Sequence, residues 1–204
     1  MNIRHLVART VSIGMLITML GSVQEQKIVI GMPMISVVKE KEKMGSYEQG
    51  KDYVVDYLKR RFPKGATCLD VGACDGVWKK KTGDLFVMDA VEVFEPNAKT
   101  LEGYRTVFHT DIRGFKYVYY DCIIFGDVIE HMEVEEAQEV LRYANSRCKD
   151  MVIAVPYLYE QFEIYGNPYE KHLQPELTRE LFLQRYPGYE EIVAFEQYAY
   201  WHKK

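Results

Sequence analysis

The sequence predicts an α/β three-layer sandwich: helices on both faces of a mostly parallel sheet, with an antiparallel C-terminal edge. Three observations carry this. Five short β-like runs, at 67–71, 90–94, 106–109, 122–125 and 151–155, alternate with helical patterns, and that alternation means parallel pairing through right-handed crossovers. A loop of small residues bends the chain directly after the first run. Two final extended runs, 190–195 and 197–202, follow each other with no helix between them and so read as an antiparallel edge.

Taken in order, the first element is a helix. Ser46-Tyr47-Glu48-Gln49 has the form of a capping box. Tyr53, Val54, Tyr57, Leu58 and Phe62 then recur at helical spacing until Pro63-Lys64-Gly65 stops them. The second clear helix spans 134–146, with Val134, Ala137, Val140, Leu141 and Ala144 on one face. The 204 residues suit one ordinary domain, which we take as 44–204. Residues 1–43 read as an N-terminal extension. Arg4, His5 and Arg9 precede an uncharged stretch that resembles the start of a signal peptide, so membrane association, if any, would run through this segment alone.

Composition excludes several classes. With 48% apolar and 27% charged residues the chain is neither disordered nor fibrous. A net charge of −4 makes nucleic acid an unlikely partner. Cys68, Cys74, Cys122 and Cys148 form no CxxC pair, so reduced thiols and a cytoplasmic location are expected. Twelve of the 16 tyrosines fall after position 116, which suggests an aromatic-lined surface in the C-terminal half.

The most informative segment is Cys68-Leu69-Asp70-Val71-Gly72-Ala73-Cys74-Asp75-Gly76. An apolar strand runs into a bend where Gly72 and Gly76 remove the Cβ atoms that would block a ligand. A plain glycine-rich turn would look the same. The dinucleotide pattern GxGxxG fails, because Cys74 and Val77 stand where glycines are required, and no GxxxxGK[ST] loop occurs.

Asp70-Val71-Gly72-Ala73-Cys74-Asp75-Gly76 resembles the first motif, D/E-x-G-x-G-x-G, of the class I S-adenosylmethionine-dependent methyltransferases, with Cys74 in place of the middle glycine. Three more segments extend the resemblance in order. Val91-Glu92-Val93-Phe94-Glu95-Pro96-Asn97 offers Glu95, 19 positions past Gly76, as the family's ribose-binding acid, with Pro96 beside it; a carboxylate there can accept from both ribose hydroxyls. His109-Thr110-Asp111-Ile112 offers Asp111 for the adenine amine and Ile112 for the ring face, although a turn or helix N-cap aspartate reads alike. Tyr120 to Met132 resembles the family's fourth-strand segment, with Phe125, Gly126 and Asp127 at the methionine end of the cofactor. The resemblance implies a seven-strand-type sheet, S-adenosylmethionine as cofactor, and cofactor contacts from Asp70, Gly72, Ala73, Cys74 and Gly76.

Methyl transfer is an in-line displacement at a sulfonium carbon, so the protein chiefly positions the acceptor. His131 is the candidate base; an imidazole that only hydrogen-bonds its surroundings is the competing reading. Asp127, Glu130 and His131 would share one face of a helix, which could hold a divalent metal, but two carboxylates and one histidine make this the lesser reading, and no metal is expected. Tyr157, Tyr169 and His172 lie in an aromatic segment after the fifth strand that suits an acceptor pocket or lid; a packed surface loop is the alternative. The expected function is methyl transfer to an O or N atom of a small-molecule acceptor, with a binding-only S-adenosylmethionine module as the alternative.

Overall fold

The computed structural model describes residues 48–204 other than Tyr117 and Tyr165. The 1–43 extension, and Ser46 and Tyr47 of the capping box, lie outside the described residues. Seven strands form one sheet: β1 (Ala66–Val71), β2 (Phe86–Glu92), β3 (Val107–His109), β4 (Tyr120–Gly126), β5 (Cys148–Pro156), β6 (Tyr189–Ala194) and β7 (Tyr198–Lys203), in the order β3-β2-β1-β4-β5-β7-β6. The first five pair in parallel, and β7 runs antiparallel between β5 and β6.

Side chains alternate between the two sheet faces, as the pleat dictates, and this sorts the helices into layers. Cys68, Cys122, Ile124, Val152, Ala154 and Tyr200 pack with Val54 and Leu58 of α1 (Lys51–Arg61) and Trp78 of α2 (Val77–Thr82). Their neighbours Leu69, Ile123, Phe125, Ile153 and Trp201 face the opposite way, onto Ala137, Val140 and Leu141 of α4 (Val134–Asn145) and Phe182 of α5 (Arg179–Arg185). A short α3 (Glu95–Ala98) follows β2.

Two elements differ from expectation. Helix α1 starts at Lys51, because Gly50 takes a left-handed φ of 91° and ends the preceding turn there. Gly50 packs so closely on Phe195 and Tyr200 that a Cβ would sit 2.6 Å from each ring. Strand β2 begins at Phe86 and ends at Glu92, so the expected 90–94 run is shifted towards the C-terminus by two residues at its end and misses its first four. Asp89 conceals those residues in the sequence: it sits mid-strand, 3% exposed, with its carboxylate held by the Arg105 guanidinium (Nε, 2.9 Å) and the Tyr120 hydroxyl (2.9 Å).

Candidate cofactor site

Strand order reverses between β1 and β4, and ligands of open α/β sheets settle at such a point, outside the carboxyl ends of the strands. A cavity of about 510 Å³ opens there, within the usual range for small-molecule sites. Among the described residues, the three non-glycine residues with positive φ, Cys74 (48°), Asp127 (56°) and Leu158 (49°), follow the carboxyl ends of β1, β4 and β5. Unfavourable backbone gathered at one end of a sheet marks a site that the surrounding structure holds in place.

The bend after β1 is built as its sequence requires. Gly72 has φ 68° and lies so near Val128 that a Cβ would approach Cγ2 to 2.6 Å. Gly76 has φ 75° and ends the bend at the start of α2. Between them the Cys74 N–H donates to Glu92 Oε2 at 2.8 Å, and Phe94 N–H donates to Glu92 Oε1 at 2.8 Å. Glu92, 4% exposed at the end of β2, therefore joins the bend to the neighbouring strand and lines the cavity.

Of the residues singled out by sequence, Gly72, Ala73, Cys74, Asp111, Ile112, Gly126, Asp127, His131, Tyr169 and His172 line this one cavity. Asp111 does so with its carboxylate occupied: it caps the following turn through Arg113 N (2.8 Å) and pairs with the Arg113 guanidinium.

The other residues singled out by sequence do not line this cavity. Glu95 lies outside the cavity in the first turn of α3, paired with Lys99 at 2.9 Å, and Pro96 is beside it in the same turn; ending β2 at Glu92 leaves both past the crevice. Phe125 points into the α4 side of the core because of strand alternation. Tyr157, expected near the acceptor, is buried in that same core with its hydroxyl accepting from Trp201 Nε1 at 3.1 Å. Gly76 and Asp70 support the bend without lining the cavity; Asp70 is fully buried and accepts from the Tyr104 hydroxyl at 2.6 Å.

Glu92, Trp78, Glu130 and Glu170 also line the cavity. Glu92 stands three residues before Glu95 in the same short acidic run. Glu170 belongs to an irregular segment whose placement no periodicity reports. The Trp78 indole N–H is buried without a hydrogen-bond partner and lies against Gly126, where a Cβ would be 2.4 Å from Nε1.

Among the described residues, six carboxylates line the cavity (Asp75, Glu92, Asp111, Asp127, Glu130 and Glu170) against one permanent cation, Arg113. Burial raises Asp127 to about 7, against the Tyr198 hydrogen bond and the Lys51 charge that favour its ionised form. Burial, then the Asp127 charge, pushes Glu130 well above the carboxylate range. Burial lowers His131 to about 4, with His172 adding to the effect, and also lowers His172. Such a lining attracts cations and repels phosphates.

No family model matches the chain, and no curated protein matches its sequence. Solved structures do. An S-adenosylmethionine-dependent methyltransferase from Clostridium acetobutylicum matches with a TM-score of 0.60 at 11% identity, covering 78% of this chain and 91% of that one. Magnesium protoporphyrin IX methyltransferase from Synechocystis PCC 6803, with bound S-adenosylmethionine, matches at 0.52 and 16% identity, covering 76% and 77%. A methyltransferase from Archaeoglobus fulgidus matches at 0.50 and 21%, covering 76% and 94%. The fold is that of the class I S-adenosylmethionine-dependent methyltransferases. Within this methyltransferase fold, the cavity occupies the strand-order switch point and the last two strands form the antiparallel edge.

Proposed function

We propose that the chain binds S-adenosylmethionine in this cavity and transfers its methyl group to an O or N atom of a small-molecule acceptor. The observation that carries the reading is the meeting of the Gly72–Gly76 bend and the buried Glu92 carboxylate on one crevice at the switch point. We assign Glu92 to the ribose hydroxyls: each oxygen accepts one backbone N–H and keeps a lone-pair direction for a second donor. Ile112 offers an apolar surface to the adenine. Asp127, Gly126 and the free Trp78 N–H suit the methionine end, where an ammonium and a carboxylate need an acceptor and a donor. The acid-rich lining fits a sulfonium nucleoside and disfavours a dinucleotide pyrophosphate.

The segment carrying Tyr159, Gln161, Tyr169, Glu170 and His172 closes the acceptor side. Transfer then depends mainly on holding the acceptor in line with the methyl carbon. His131 is present, but an imidazole held near 4 accepts a proton poorly at neutral pH. We keep the reaction in the cytoplasm, in line with four unpaired thiols; no helix among the described residues is long and apolar enough to cross a membrane.

Calorimetry with S-adenosylhomocysteine and NAD side by side tests the reading. Micromolar binding of the first and none of the second is expected; the reverse pattern, or silence with both, would overturn it. A panel of small hydroxyl and amine acceptors with radiolabelled methyl donor then finds the acceptor class.

A further inference from the structure

Among the described residues, Glu130 has both carboxylate oxygens buried and without a partner on another residue, and it is 1% exposed. Burying a polar group without a partner is costly, and a carboxylate far more so. Two imidazoles stand beside it. The ligand atoms of Glu130, His131 and His172 all lie within 4.8 Å of one another, and the His131 and His172 rings meet edge to face with centroids 4.7 Å apart.

The backbone holds this arrangement. Leu173 N–H and Gln174 N–H both donate to the Glu130 carbonyl, at 2.8 and 3.2 Å, and the Gln174 side chain donates to the Ile129 and Met132 carbonyls. The segment after β5 is thereby stitched to the turn after β4, and His172 is brought to His131. Each ring is also fixed in tautomer. His131 Nδ1 meets the Lys171 carbonyl at 3.1 Å and His172 Nδ1 meets the Tyr159 carbonyl at 2.7 Å. A carbonyl can only accept, so both Nδ1 atoms carry the proton and both Nε2 atoms carry lone pairs. Histidines that ligate metals are oriented by this kind of outer hydrogen bond.

We propose that Glu130, His131 and His172 form a binding site for a first-row divalent cation at the acceptor end of the cavity. Two imidazoles and one carboxylate suit zinc, cobalt, manganese or iron better than magnesium or calcium. Tetrahedral ligands about 2.1 Å from zinc are spaced about 3.4 Å apart, against separations of 4.8 Å or less among the three residues here. Three protein ligands leave at least one position, and all three residues line the cavity. That open position takes a hydroxyl oxygen of the acceptor.

The ion's part in catalysis rests on the function proposed above; its binding does not. Coordination acidifies the hydroxyl, whose proton passes to solvent. The oxygen electron pair forms the O–C bond as the C–S pair returns to sulfur, releasing S-adenosylhomocysteine.

The test uses the full chain stripped of metal and titrated with Co²⁺, followed by its visible absorption, and with Zn²⁺ by calorimetry. Uptake of one ion per chain is expected. Glu130→Gln and His172→Asn should each weaken it by about tenfold or more while S-adenosylhomocysteine still binds. Folded wild-type protein that binds S-adenosylhomocysteine but takes up neither ion overturns the site and leaves the methyltransferase reading standing. Ion uptake without S-adenosylhomocysteine binding does the opposite. Should Glu130→Gln not fold, His172→Asn decides, and uptake unchanged in that variant overturns the proposal.

Discussion

Replacing Glu92 by alanine removes the carboxylate that faces the cavity, whereas the same change at Glu95 removes only a surface partner of Lys99. Glu92→Ala should weaken S-adenosylhomocysteine binding by more than tenfold, about 1.4 kcal/mol, and Glu95→Ala should leave the calorimetric isotherm unchanged. Asp70 makes a second prediction. Burial raises its carboxyl to about 7, outweighing the Tyr104 hydrogen bond, from an ordinary value of 3.8. Between those values the folded chain holds a proton that the unfolded chain has lost, so stability falls as pH rises through this window. Asp70→Asn keeps an acceptor for Tyr104 and removes the charge; it should melt above the wild type at pH 8, with the gain vanishing near pH 4. At this scale the bend at Gly72 and Cys74 was readable because special backbone needs special residues. Which of Glu92 and Glu95 lines the cavity was not, since both are glutamates in one short run and only the strand's end point separates them.

That end point is decided at the scale of the element. A strand with Asp89 at its centre reads as two fragments until Arg105 and Tyr120 are seen to satisfy the carboxylate. Burial would raise Asp89, but these partners prevail and hold it below the usual range. The stability they contribute is present above the ordinary carboxylate pKa and is lost as pH falls through the lowered one. Arg105→Ala should cost about 2 kcal/mol in urea unfolding at pH 7, less than a fully buried pair because the guanidinium is half exposed, and the deficit should shrink in acid. Helices α1 and α4 were readable from their apolar stripes, and α4 fell within one residue of expectation. The segment from 157 to 172 was not: its residues are placed by hydrogen bonds such as His172 N–H to the Gln161 carbonyl, which leave no period in the sequence. Tyr157 and Tyr169 looked alike there and ended on opposite sides of the cavity wall.

For the whole molecule, alternating strands and helices, together with the resemblance of the motifs, fixed the class of the sheet, while the side-chain cluster at its mouth emerged only from the fold. The cavity's charge has a consequence that can be weighed. Asp127, which lines the cavity, is raised to about 7 and so is partly protonated at neutral pH. A ligand bearing an ammonium favours its ionised form, so binding should expel a proton. Calorimetry of S-adenosylhomocysteine at pH 7 in buffers of differing ionisation heat should reveal this release, with affinity rising from pH 6 to pH 8; heats independent of the buffer would contradict it.

Strand β7 follows the other six strands of the sheet in the sequence, yet it belongs between β5 and β6 and sends the Tyr198 hydroxyl to Asp127. During synthesis, β5 must wait with an open edge, a state prone to wrong pairing, until residues through Lys203 have cleared the ribosome. A nascent chain arrested before Tyr198 would carry the bend and Glu92 complete but leave Asp127 without its phenol partner, so this corner of the cavity is finished only once the two strands after β5 are in place.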